Sequence, residues 1–219
     1  MSTAADRFQC ILNDISASAK LARRSSADVT LIAVSKTRGA DEIEELIAAS
    51  QRDFGESRVQ EALAKWPPIV ARHPDITLHC VGRLQSNKAA EAVNLFGVIH
   101  SLDRPSLLAA LVKEADKQDR RPSVYVQVNI GDEAQKGGCA IDEVGDLVAA
   151  VRASPLPLAG LMAIPPQEVE PGPYFALLAE IARRHGVTGL SMGMSADYKA
   201  AVMLGATAVR VGTALFEDD

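Results

Sequence analysis

Aromatic residues make up only 4% of this 219-residue sequence, and it contains just three cysteines, Cys10, Cys80 and Cys139. The cysteines lie far apart and form no CxxC pair or Cys/His cluster, which argues against a disulfide framework and against a zinc site. A sparse, odd count fits a reducing compartment. No apolar run approaches the roughly 20 residues a membrane helix needs. Near the start, Asp6, Arg7, Asn13, Asp14 and Lys20 interrupt any secretory apolar segment, and the final Phe216-Glu217-Asp218-Asp219 is not a lipidation signal. A cytoplasmic location away from membranes is therefore expected. Positive charge is also short: 23 Lys+Arg against 28 Asp+Glu leave a formal charge of −5, so nucleic acid is not an expected partner. No GxGxxG follows the first apolar run, which weakens a dinucleotide-binding reading. There is no low-complexity tract and no repeat of fixed period.

What the sequence does have is aliphatic residues in alternating patterns. Hydrophobic residues make up 47% and charged residues 23%, an ordinary balance for a globular chain. Short β-branched runs predict strands over 29–34, 53–55, 76–81, 98–101, 124–129, 158–164, 187–191 and 207–211. Apolar residues at helical spacing predict helices over 3–24, 41–50, 57–71, 86–94, 104–118, 141–153, 173–185 and 196–204. Pro67-Pro68 should break or kink the third of these. The stretch 165–173, rich in Pro and Glu, is the loosest segment. Eight strands, each after the first preceded by a helix, predict an α/β fold. The form expected is a single TIM-type (β/α)8 barrel over residues 1–219 with an extra N-terminal helix. An open doubly wound sheet is the alternative.

In such a barrel the chemistry sits at the C-terminal ends of the strands. Lys36 lies two residues past Val34. There a half-desolvated amine could form a Schiff base, although a solvated loop lysine would look the same in sequence. Ser191-Met192-Gly193-Met194-Ser195 and Gly212-Thr213 follow the seventh and eighth strands, the usual phosphate loops of this fold. Arg210, between Val209 and Val211, should point into the mouth as an always-charged donor. The alternative for Arg210 is a structural ion pair with Glu56 or Asp197. His79 alternates with apolar residues, a spacing that favours a core histidine. An amine and a phosphate site in one mouth suggest a phosphorylated aldehyde. Pyridoxal 5'-phosphate fits, and phosphosugar enzymes remain open.

Several segments resemble the pyridoxal phosphate homeostasis protein family. They are Leu31-Ile32-Ala33-Val34-Ser35-Lys36-Thr37, Phe54-Gly55-Glu56-Ser57-Arg58-Val59-Gln60-Glu61, His79-Cys80-Val81-Gly82-Arg83-Leu84-Gln85-Ser86-Asn87-Lys88, Gly160-Leu161-Met162, Leu190 to Ser195, and Val209 to Thr213. They occur in the family's order over nearly the whole chain. The resemblance implies a barrel like the N-terminal domain of alanine racemase, with pyridoxal phosphate held as a lysine aldimine. Lys36 would be the Schiff-base lysine. Ser195, Gly212 and Thr213 would hold the phosphate, with Met192 and Gly193 lining that pocket, and Arg210 would face the pyridine nitrogen. Ser57 and His79 would add contacts to the cofactor. Ser57-Arg58 stand where the family commonly has Asn-Tyr, Leu78 replaces an aromatic, and Cys80 replaces Phe or Met.

The function implied is carriage of pyridoxal phosphate in intracellular homeostasis and amino-acid balance. Apo pyridoxal phosphate enzymes would be the partners, and no catalytic reaction is firmly established. Amino-acid racemisation is the first alternative. It needs a second base, and Tyr125, Tyr174 and Tyr198 are not obvious candidates: Tyr125 falls within a predicted strand, Tyr174 and Tyr198 in predicted helices. With the sequence running only three residues past Phe216, a second domain that would supply such a base is not expected. A Schiff-base phosphosugar enzyme is the second alternative. A monomer is expected.

Overall fold

The computed structural model describes residues 3–217. Eight strands pair in parallel, each with the next in chain order: β1 (Thr30–Val34), β2 (Asp53–Glu56), β3 (Thr77–Cys80), β4 (Val98–Leu102), β5 (Ser123–Gln127), β6 (Leu158–Met162), β7 (Leu190–Ser191) and β8 (Ala208–Val211). The barrel closes where Thr30 to Ala33 of β1 run beside Ala208 to Val211 of β8. The expected (β/α)8 barrel is therefore present, and the open sheet is not. Helices α2 (Ala40–Ala48), α3 (Val59–Arg72), α4 (Ala89–Leu95), α5 (Pro105–Gln118), α6 (Val144–Arg152), α7 (Gly172–Arg184) and α8 (Tyr198–Met203) connect the strands. Helix α1 (Ala4–Leu21) precedes the first strand.

Three features differ from the sequence expectation. Helix α3 runs unbroken through Pro67 and Pro68. Both prolines are exposed while Trp66 and Ile69 beside them are buried. The carbonyls that lose a donor therefore belong to a helix flank turned to water, where the missing bonds cost least. Strand β7 keeps only two of its five predicted residues. A ninth helix, α9 (Thr213–Phe216), follows β8 directly, too short for periodicity to reveal.

A parallel strand sends successive side chains to opposite faces. The outward faces are apolar and pack on the helices. Phe54, for example, lies 5.1 Å from the Trp66 ring of α3. The inward faces are unusual, because Asp53, His79, His100, Tyr125, Ser191 and Arg210 share the lumen with the branched aliphatics Ile32 and Val34. His100 of β4 reaches Ser191 of β7 across the barrel at 2.8 Å, which fixes both as inward.

Cys80 and Cys139 are buried, and desolvation pushes both thiols up to about 12. Cys10 is exposed on α1. A thiol reagent should modify Cys10 quickly under native conditions and reach the other two only in denaturant. Three fast-reacting thiols in the folded protein would contradict this packing.

Candidate functional site

Lys36 follows β1 and a fully buried Ser35. Its loop is pinned from α3. The Ser35 hydroxyl donates to Glu56 Oε1 at 2.8 Å, Trp66 Nε1 donates to the same oxygen at 2.9 Å, and Lys65 Nζ pairs with it at 2.7 Å. Lys65 Nζ also donates to the Ser35 carbonyl at 2.8 Å. Glu56 is fully buried and, among the described residues, its Oε2 has no hydrogen-bond partner. Thr37 sits at φ 65°, a conformation a β-branched residue adopts only when its surroundings impose it. Its N–H donates to Glu61 of α3. Lys36 itself is exposed, the setting of the solvated loop lysine rather than of the half-desolvated amine. Among the described residues its amine has no hydrogen-bond or ion-pair partner.

Across the mouth, Ser195 Oγ accepts the N–H groups of Gly212 and Ala214, each at 3.3 Å. This ties the loop after β7 to the first turn of α9. A cavity of about 380 Å³ lies between these elements, lined by Lys36, Ser57, Ser195, Arg210, Gly212 and Thr213. Val81 and Ile164 give it an apolar wall. A second cavity of about 330 Å³ shares Ser57, Val81 and Ile164 with it and adds Arg83, Asn129 and Lys136. Ser57 thus stands where the two meet. Gly82 is required there, because a Cβ on it would lie 2.1 Å from the Ser57 carbonyl oxygen.

Six of the nine sequence-predicted site residues therefore share one cavity, and three do not line it. Met192 is fully buried and points outward among the core side chains. Gly193 turns the chain at φ +94°, and a Cβ there would lie 2.5 Å from Ala201 Cβ. Its carbonyl accepts the Arg210 N–H at 2.9 Å. His79 lies within the lumen, bonded to Asp53 at 2.9 Å and His100 at 3.0 Å, as the core-histidine reading has it.

Arg210 is almost completely buried. It bonds neither Glu56, which Lys65 holds, nor Asp197, which acts on it only through its field. Instead it donates to Ser191 Oγ at 2.6 Å and to the Ala163 carbonyl at 3.1 Å. Burial lowers its pKa to about 10, still high enough to keep it charged at neutral pH. His100 is held well below the usual histidine range, first by burial and then by its electrostatic neighbours His79 and Arg210.

Sequence reasoning missed His100 and Lys65. The alternation that marked His79 as a core histidine applies equally to His100, two residues after Val98 on the next strand. Lys65 gave no signal, because its partner Glu56 becomes a neighbour only once α3 packs.

The arrangement offers a free amine, a loop-and-helix turn rich in N–H and hydroxyl groups, and a buried cation facing one space. The alanine racemase N-terminal domain model matches residues 12–219. A Pseudomonas aeruginosa protein named pyridoxal phosphate homeostasis protein is 40% identical over 224 residues, covering 99% of this chain and 96% of that one. The protein of the same name from Escherichia coli strain K12 is 37% identical over 231 residues, covering 99% and 97%. The structure of PipY from Synechococcus elongatus with PLP bound superposes with a TM-score of 0.82 at 37% identity, covering 98% of this chain and all of that one. Alanine racemase from Corynebacterium glutamicum shares the fold alone, at 17% identity and a TM-score of 0.65 over 96% of this chain and 61% of that one.

Removing one partner of a buried ion pair leaves the other charge uncompensated. Lys65→Met should therefore destabilise the fold by roughly 3–5 kcal/mol, read from urea unfolding. Glu56→Leu combined with Lys65→Met should cost much less than the sum of the two single substitutions. An additive double variant would show that the pair does not act as a unit.

Proposed function

Because the chain belongs to the alanine racemase N-terminal-domain family, and within it to the pyridoxal phosphate homeostasis proteins, we propose that it binds pyridoxal 5'-phosphate covalently through Lys36 and serves cofactor homeostasis and amino-acid balance. The single observation that carries this reading is the free Lys36 amine facing Ser195, Gly212 and Thr213 across one cavity. A bound pyridoxal phosphate supplies an aldehyde for an amine to condense with, a phosphate and a ring nitrogen.

The donor set suits that group. Lys36 offers a nucleophile whose approach is set by the pinned Ser35 and Thr37 on either side. Ser195 and Thr213 offer hydroxyls to an anion, with the Gly212 and Ala214 N–H groups held on Ser195 Oγ. Arg210 has five N–H groups and spends two on Ser191 and Ala163, leaving donors for a ring nitrogen while retaining its own protons. Ser57 borders the same space. Met192 and Gly193 support the phosphate loop from behind, Gly193 through the Arg210 N–H, and His79 acts from within the lumen.

Holding and releasing the cofactor is favoured over racemisation. Two-base racemisation needs a second acid–base group opposite the amine, and none of the tyrosines lines this cavity. Tyr125 stacks on His100, and the Tyr198 hydroxyl donates to Asp14. The working form is a cytoplasmic monomer that passes its cofactor to apo enzymes.

Purified protein incubated with pyridoxal phosphate should show a visible absorbance band that Lys36→Ala lacks. Thr213→Ala should weaken binding by roughly tenfold, the scale of one hydrogen bond to a charged group. A loaded protein should leave an amino acid's Cα deuterium in place. No band in the unsubstituted protein would overturn the reading, and fast Lys36-dependent Cα exchange would replace holding with racemisation.

A further inference from the structure

The lumen carries a row of polar side chains that joins Arg210 at the mouth to the far end of the barrel. Asp53 opens β2 at the N-terminal end of the barrel, opposite the mouth, and is half-exposed. From it the contacts run Asp53 Oδ1 to His79 Nε2 at 2.9 Å, His79 Nδ1 to His100 Nε2 at 3.0 Å, His100 Nδ1 to Ser191 Oγ at 2.8 Å, and Ser191 Oγ to Arg210 at 2.6 Å. His100 and Ser191 are fully buried.

Counting hydrogens fixes the direction of this row. Arg210 can only donate, so Ser191 Oγ accepts from it. Ser191 has one other polar partner among the described residues, His100, and its buried hydroxyl hydrogen must go there. His100 Nδ1 is then bare, and its one proton sits on Nε2 facing His79. His79 Nδ1 accepts it, so the His79 proton sits on Nε2 and points to the Asp53 carboxylate, which only accepts. The burial that holds His100 in its neutral form agrees with this count. Each group has one arrangement, set by a donor-only cation at one end and an acceptor-only anion at the other.

We propose that Asp53, His79 and His100 are positioning residues that run as a one-way hydrogen-bond chain through the barrel and, by way of Ser191, fix the orientation of the Arg210 guanidinium at the mouth. A carboxylate on the far side of the molecule is thereby tied to the group that faces the cofactor. The effect on the cofactor rests on the pyridoxal phosphate reading. The tautomers do not.

The test is long-range proton–nitrogen NMR of the histidines in the protein without cofactor, in the unsubstituted chain, Asp53→Asn, Asp53→Ala and Ser191→Ala. The proposal expects His100 protonated at Nε2 and bare at Nδ1. It expects Asp53→Asn, which keeps an acceptor oxygen, to preserve that tautomer. It expects Ser191→Ala, which removes the hydroxyl that occupies His100 Nδ1, to mix the tautomers, while Asp53→Ala, where water accepts from His79 Nε2, leaves them as they are. His100 protonated at Nδ1 in the unsubstituted protein, or a His100 tautomer unmoved by Ser191→Ala, would overturn the proposal. The first of these needs no variant to fold. In a second arm, Asp53→Ala should weaken pyridoxal phosphate binding roughly three- to tenfold. It should leave unchanged the binding of the analogue with carbon in place of the ring nitrogen. Equal loss for both ligands would contradict control of Arg210. If the unsubstituted protein binds neither ligand, the cofactor reading fails and the tautomers still decide the chain.

Discussion

A guanidinium inside a barrel must have its donors satisfied and its charge tolerated without water, and the lumen of this protein is arranged around that demand. Arg210 sits where most barrels of this kind keep a branched aliphatic residue. An unpaired buried charge there would be prohibitively costly. Ser191 and the Ala163 carbonyl take two of its donors, and the two histidines connect Ser191 to a carboxylate at the far end. The lumen is polar because the mouth needs a cation, and the outward strand faces are correspondingly apolar because the helices supply the rest of the core.

The amine side of the mouth follows a different principle. Lys36 is exposed and unpartnered, so its position comes from its neighbours. Ser35 is buried and held by Glu56 and Lys65, and Thr37 is held in a left-handed conformation against α3. A reactive group that must remain free for a ligand cannot be fixed by its own contacts, so the loop is fixed on either side of it. The two walls meet because the closed register brings β1 beside β8, which sets the Lys36 loop next to Gly212 and Thr213.

Much of this was legible in the sequence. The alternation of apolar strands and helical stripes gave the eight βα units. Their order placed Lys36, Ser195, Arg210, Gly212 and Thr213 at strand ends facing one mouth. Three kinds of feature were not legible. A single histidine in an apolar strand, such as His100, reads as a satisfied core residue until the opposite strand is known. The parity of Met192 depends on where β7 starts, and β7 is only two residues long. Pro67 and Pro68 read as a break because local propensity does not show which helix face meets water. In each case the missing information was tertiary: a partner across the barrel, a register, or a solvent-facing side.

The central claim is that the lysine beside the phosphate loops is the residue that takes the cofactor. Incubation with pyridoxal phosphate, reduction with borohydride to make the carbon–nitrogen link permanent, and peptide mapping by mass spectrometry test it most directly. The account predicts one modified residue, Lys36, at stoichiometry near one per chain. Modification chiefly at Lys65, Lys136 or scattered surface lysines, with Lys36 untouched, would contradict it.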